Sequence, residues 1–294
     1  MKILIINIDS KLPNFALKKI EKYHKDRGDE VIWDFPLMPS DKIYVSCIFD
    51  WNKNKCQEYE GKAEIGGTGY DLTKKLPSEI ERIKPRINLG FTTRGCINKC
   101  LFCVVPLKEG NIKIVGDIYD IWDGQSKKIE LLDNNILALP SHFEKICQQL
   151  KKEKLCLKEN GLDIRLLNKN NAKLLVSISH YEYKFAFDNL SDENAVEKGI
   201  KILKSVGINR STFYVLVGFN TIFEEDLYRL NFLRDKKQNA YVQRYNFTKD
   251  KKYIPLARWA NQHHIFHPLT YKQFLEKCRR EIGGKYASIY NENY

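Results

Sequence analysis

The chain has 294 residues, 43% of them hydrophobic and 12% aromatic, which is ample core material for one large α/β domain or for a small domain followed by a medium one. That content excludes an intrinsically disordered chain, and no apolar run approaches the length of a bilayer span. A net charge of +12 is compatible with a nucleic-acid partner, but the lysines are scattered and fit codon bias equally well, so charge does not decide the matter.

The N-terminal run Lys2–Ile8 is apolar and β-branched, as in a strand buried on both faces. It turns polar at Asp9, too soon for a secretory signal, so a cytoplasmic location is expected and the eight cysteines are read as thiols. Ala16, Leu17, Ile20 and Tyr23 predict a helix over 14–24, ending near Gly28. Strands follow at 31–33 and 43–48. The glycine loop Ile65–Asp71 suits either a close backbone approach to a ligand or a tight turn. A brief helix over 78–84 and the linker Lys84-Pro85-Arg86 close a small Rossmann-like domain, residues 1–84.

A second α/β rhythm starts with a strand at 87–92, directly followed by Cys96-x-x-x-Cys100-x-x-Cys103. Thiolates are soft ligands, and three of them leave a tetrahedral set one short: either a fourth ligand comes from elsewhere, or one position stays open for chemistry. Ile97, Leu101, Phe102, Val104 and Val105 are expected to shield such a site. Further strands are predicted at 128–133, 161–166, 173–178, 212–218 and 240–244. Helices are predicted after capping boxes at Ser141–Glu144, Thr221–Glu224 and Thr270–Gln273, and over 193–206. Six parallel strands with no seventh or eighth describe a partial (β/α)6 TIM-type barrel over residues 85–250, with a C-terminal helical extension over residues 251–294 that packs on it. The cysteines would lie at the carboxyl end of its first strand, where such folds build active sites.

The spacing Cys96-x-x-x-Cys100-x-Phe102-Cys103 after that strand resembles the signature of radical S-adenosylmethionine (radical SAM) enzymes. The resemblance implies that the three cysteines hold three irons of a four-iron, four-sulfur (4Fe–4S) cluster and that the fourth iron is chelated by SAM. An electron from the reduced cluster, delivered by an external flavodoxin- or ferredoxin-type donor, would cleave SAM to methionine and a 5′-deoxyadenosyl radical that abstracts hydrogen from a substrate.

It also implies cofactor contacts. Asp133, Asn134 and Asn135 stand where the family has Gly-Gly-Glu against the SAM amino group, and Arg165 resembles residues that pair with the SAM carboxylate, with an ordinary salt bridge as its alternative. Gly218 and Asn220, Arg244 and Asn246 fall where adenine and ribose would be met. The first domain is similar to cobalamin-binding domains at Ser46–Ile48 and Gly66-Gly67, but Lys11 occupies the place of the cobalt-ligating histidine. Cobalamin is therefore disfavoured and a degenerate domain expected, with a cobalamin-dependent methyltransferase as the alternative. Methylthiotransferases share Cys-x-x-x-Cys-x-Phe-Cys-x-Val-Pro with Cys96–Pro106, yet use a second cluster for which only Cys47 and Cys56 are at hand. An RNA-modifying enzyme and a non-catalytic iron–sulfur electron-transfer or scaffold protein are the other readings. His263, His264 and His267 are read as a solvated loop rather than a metal site, and Leu256–Asn261 either packs or closes over substrate through Arg258.

Overall fold

A computed structural model describes residues 1–245 and 250–281. The chain divides into two compact units, Met1–Leu132 and Asp133–Tyr294, a boundary that falls within the stretch 85–250.

The first unit is built on a parallel sheet of β1 (Lys2–Asn7), β2 (Glu30–Trp33), β3 (Lys42–Ser46) and β4 (Glu64–Gly66), in the order β2-β1-β3-β4. Alternation along β1 explains its burial on both sides. Leu4 and Ile6 pack with Val45, Cys47, Cys56 and Ile65, while Ile3 and Ile5 face Leu17, Ile20 and Ile80. Those last residues come from α1 (Phe15–Lys25), capped by the Asn14 carboxamide accepting from the Leu17 N–H at 3.2 Å, and from α2 (Ser78–Glu81). After α2, β5 (Leu89–Gly90) pairs in parallel with β8 (Lys128–Leu131). Between them β6 (Thr93–Arg94) pairs antiparallel with β7 (Lys113–Ile114), and the excursion they close contains α3 (Val105–Lys108).

In the second unit α4 (Pro140–Lys152) buries Phe143, Ile146, Cys147 and Leu150, the apolar face read from the sequence. Its start differs from expectation: Pro140 occupies the first turn and no side chain caps it, so Ser141 and Glu144 form no capping box. The two strands expected at 161–166 and 173–178 are absent. Leu162 makes one bridge to Phe185, residues 164–166 form a 3-10 turn, and 169–176 are helix α5 (Lys169–Val176). A reciprocal Asn168–Asn171 box starts α5, with Asn168 Oδ1 accepting from the Asn171 N–H at 3.0 Å and Asn171 Oδ1 from the Asn168 N–H at 2.8 Å. The strands at this point are instead β9 (Cys156–Glu159) and β10 (Ser179–His180), paired in parallel, and β11 (Lys184–Ala186).

Helix α6 (Glu193–Ser205) and β12 (Thr212–Val217) fall where expected. Helix α7 (Phe223–Asp235) begins one residue later than the Thr221–Glu224 box implies, its Glu225 carboxylate accepting from the Ile222 N–H at 3.3 Å. β13 (Asn239–Arg244) completes a parallel β11-β12-β13 sheet. Helices α8 (Tyr253–Ala260), α9 (His263–Phe266) and α10 (Tyr271–Glu281) follow, the last opened by the expected reciprocal Thr270–Gln273 box.

The protein is thus α/β, with a Rossmann-like parallel sheet first and parallel β/α segments of partial-barrel type after it, and the described strands do not close into a barrel. No helix among the described residues is long and apolar enough to cross a membrane.

The last helices cover β13. The Asn261 carboxamide bridges both backbone groups of Val242, accepting from its N–H at 2.6 Å and donating to its C=O at 3.2 Å, as a neighbouring strand would. His263 Nε2 lies 3.2 Å from the Ala240 carbonyl and His267 Nε2 2.9 Å from Asn239 Oδ1. The His263–His267 segment is therefore a helix seated on the sheet, not a solvated loop. Trp259 and Leu256 are fully buried, which makes 256–261 a packing segment.

Candidate functional site

The cysteine segment owes its shape to two residues at its ends. Gly95 adopts φ +84°, and a Cβ there would lie 2.3 Å from the Asn111 carbonyl oxygen, so only glycine lets the two arms of the excursion meet. Glu109 clasps them: its carboxylate accepts from Arg94 Nη2 at 2.7 Å and from the Gly95 N–H at 2.9 Å. The Cys96 N–H donates to the Gly110 carbonyl at 3.2 Å, and Cys96 Sγ accepts from the Asn98 N–H at 3.3 Å. Cys100 and Cys103 are joined by a turn in which the Cys103 N–H donates to the Cys100 carbonyl at 3.0 Å.

All three thiols are half-buried, as is Cys156 on β9, whereas Cys47, Cys56, Cys147 and Cys278 are buried. Among the described residues no three His, Cys, Asp or Glu side chains converge as ligands of one metal ion. Three half-buried thiols carried on one loop fit a polynuclear cluster in their chemistry, since a cluster holds its thiolates farther apart than a single ion does. The apolar residues among them do not screen the thiols as expected, because Ile97 (50%), Leu101 (87%) and Val104 (43%) are exposed.

A second contact ties this loop to the first sheet. Lys108 Nζ, at the end of α3, donates to Thr68 Oγ1 in the glycine loop. Burial and the nearby Arg94 lower the pKa of Lys108 from its ordinary value. The glycines of that loop serve backbone approach within the unit: a Cβ on Gly67 would fall 2.2 Å from the Cys47 carbonyl oxygen, and one on Gly69 2.3 Å from the Phe49 carbonyl carbon. The cobalamin-like positions are engaged internally. Asp9 accepts from the N–H groups of Ile48 and Phe49, each at 2.9 Å, and Asn14 Nδ2 donates to Ser46 Oγ at 2.8 Å. Lys11 is exposed. These residues do not fit a corrin.

In the second unit the structure brings Asn135 and Arg165 together through a residue that sequence reasoning missed. Asp133 and Asn135 are buried in the turn that follows β8 in the chain. Asn135 Nδ2 donates to Asp163 Oδ2 at 3.1 Å, and Asp163 also receives both Nε and Nη2 of Arg165. Arg165 is therefore on a 3-10 turn, not on a strand, and its Nη1 lies 3.8 Å from Asp192 Oδ2. The signal for Asp163 was its place two residues before Arg165, where a turn can fold one side chain back on the other.

Gly218, at φ +73°, and Asn220, at φ +52°, form the turn after β12. Val217 and Arg244 are in register, so that turn and Arg244 share the carboxyl end of two adjacent strands. Asn246 lies outside the described residues. Beneath the turn, Asp226 and Arg229 form a fully buried ion pair. Arg229 also donates to the carbonyls of Phe187 and Leu216, and Asp226 accepts from the Gly218 N–H at 3.0 Å. Burial holds the carboxyl of neighbouring Asp188 above the usual carboxylate range while the Leu216 N–H opposes the shift.

No protein-family model matches the chain. It is similar to the tRNA-2-methylthio-N(6)-dimethylallyladenosine synthase of Flavobacterium psychrophilum, with 28% identity over 164 residues. The enzyme of that name from Flavobacterium johnsoniae matches at 27% over 164 residues. Each alignment takes in 44% of this chain and 32% of the relative, so about a third of the relatives' length is represented.

Proposed function

We propose that this protein is a cytoplasmic radical SAM enzyme that acts on RNA. The observation that carries the reading is Cys96, Cys100 and Cys103 on one glycine-closed loop that follows a parallel strand, all three thiols half-buried. The similarity to two enzymes named for a tRNA modification supports the substrate class, as does the net charge of +12.

In this reading the three thiolates hold a 4Fe–4S cluster, which when bound supplies the electron that cleaves SAM and so the radical that abstracts hydrogen. The chain's own residues do the rest. Glu109 fixes the two ends of the loop so that the thiols are presented from a closed frame. Asp133, Asn134 and Asn135 offer acceptors to the SAM ammonium, and Asp163 aims the guanidinium of Arg165 at its carboxylate. Asp192 is the more distant partner of Arg165, at 3.8 Å against 2.8 Å for Asp163, and so the one an incoming carboxylate would replace. The Gly218–Asn220 turn and Arg244 provide a rim for the nucleoside. Residues 1–84 act as a degenerate domain that keeps the fold, residues 85–250 as the catalytic part and 251–294 as an extension against it.

Anaerobic reconstitution with iron and sulfide, followed by an assay for 5′-deoxyadenosine under strong reductant, tests the proposal. Release of 5′-deoxyadenosine is expected; a loaded cluster with no SAM cleavage would favour an electron carrier or scaffold instead.

A further inference from the structure

Strands β11, β12 and β13 run parallel with Lys184, Thr212 and Asn239 in register at their amino ends, so the loops that enter β12 and β13 share one end of the sheet. Hydrogen bonds tie those two loops into one surface. Gln238 accepts from the Ser211 N–H at 2.8 Å and donates to the carbonyls of Asn209 and Lys236, each at 3.0 Å, while Lys204 Nζ donates to the Lys236 carbonyl at 3.3 Å. Both loops are basic: Lys201, Lys204 and Arg210 belong to the first, Arg234, Lys236 and Lys237 to the second. Against these six cations stand two carboxylates. Glu197 is shared by Lys201 at 3.5 Å and Lys236 at 2.5 Å, and Asp235 lies 3.4 Å from Arg234. Cations in the last turn of a helix complement its dipole, which accounts for Lys204 on α6 and Arg234 on α7. It does not account for Arg210 and Lys237, which lie beyond the helix ends, are exposed and have no acidic partner among the described residues. The field is felt nearby: burial lowers the pKa of His267, and Arg210, His263 and Arg234 push it the same way.

We infer that this amino-terminal end of the β12–β13 sheet is a docking surface for the phosphate backbone of RNA. The inference rests on the proposed RNA substrate and adds where that substrate is held. A surplus of exposed cations attracts a polyanion by releasing its counterions. None of the large hydrophobic side chains in 201–211 and 234–239 is exposed, so the surface lacks the apolar centre of a protein interface and the apolar face that enters a bilayer. Phosphate contacts of this kind position a nucleic acid without reading its sequence. The Gly218–Asn220 turn and Arg244 stand at the other end of the same six-residue strands, roughly 20 Å away. An RNA that engages both ends is therefore folded or long, not a stretch of a few nucleotides.

The test uses the full-length protein and two fluorescein-labelled stem-loop transcripts of unrelated sequence, read by fluorescence anisotropy at several salt concentrations. Replacing Arg210→Gln and Lys237→Gln together is expected to weaken both transcripts alike and to reduce the slope of log K against log salt by about two, with circular dichroism unchanged. Arg210→Lys with Lys237→Arg, which keeps both charges, should retain the wild-type slope. Binding with an unchanged slope in the glutamine variant would overturn the docking surface and leave the RNA reading standing. No binding by the wild type even at low salt would instead overturn the RNA reading, and this inference with it. Displacement of the transcripts by polyglutamate or by phosphatidylglycerol vesicles at equal charge concentration would also overturn it, assigning the surface to an acidic protein or to a membrane.

Discussion

Arg165 lays its guanidinium across the carboxylate of Asp163, Nε to Oδ1 at 2.8 Å and Nη2 to Oδ2 at 2.9 Å, and the same carboxylate accepts from Asn135. Two residues assigned to one cofactor from the sequence are thus oriented by a third. Lysine cannot reproduce the fork. Arg165→Lys is expected to raise the KM for SAM by about 10-fold or more, from the loss of a charged hydrogen bond worth roughly 1.5–3 kcal/mol, with kcat for SAM cleavage nearly unchanged. A lowered melting temperature with an unaltered KM would make the pair structural.

The thiols fall into two classes that chemistry can separate. Cys47, Cys56, Cys147 and Cys278 are buried, and burial pushes the thiols of Cys47 and Cys147 up to about 12. Brief maleimide treatment of the cluster-free native protein should modify Cys96, Cys100 and Cys103, together with the equally half-buried Cys156, and spare those four, as read by peptide mass. Because these folded pKa values are raised above 9.0, the protonated thiols contribute stability below that pH that is lost as pH rises toward 12. The denaturation midpoint should therefore fall across that alkaline window, and less steeply for Cys147→Ala.

Gly95→Ala places a Cβ 2.3 Å from the Asn111 carbonyl oxygen in a residue at φ +84°. The strain, about 1–3 kcal/mol before the clash is added, should reopen the excursion. We expect iron content after reconstitution to drop several-fold with the fold's circular dichroism retained; full iron loading would show that the closed loop is not what presents the thiols.

Breaking the buried Asp226–Arg229 pair leaves one charge without its partner in a site neither side chain shares with solvent. Asp226→Ala is expected to cost about 3–5 kcal/mol in urea denaturation, and Arg229→Met a comparable amount. Replacing both together should be milder than the sum of the two, the signature of a coupled pair.

Where the chain's periodicity was long, it was legible. The buried run of β1, the apolar stripe of α4, helix α6 and strands β12 and β13 all lie where their residues predict. Between 156 and 186 it was not. Six residues are too few to separate a strand from a helix by period, and Lys173–Ile178 reads as either until the Asn168–Asn171 box is seen to start a helix. Strands of two to four residues, such as β9, β10 and β11, hold too little pattern to be read at all.

By itself the sequence determined the α/β class and placed three thiols within one short segment after a strand, because spacing along a chain is a local property. Only the tertiary structure decided that Glu109 and Gly95 close that segment, that Thr68 reaches Lys108, and that Asp163 joins Asn135 to Arg165. Each of those relations brings together residues from separate turns, and a hydrogen bond between turns depends on distances that only packing sets.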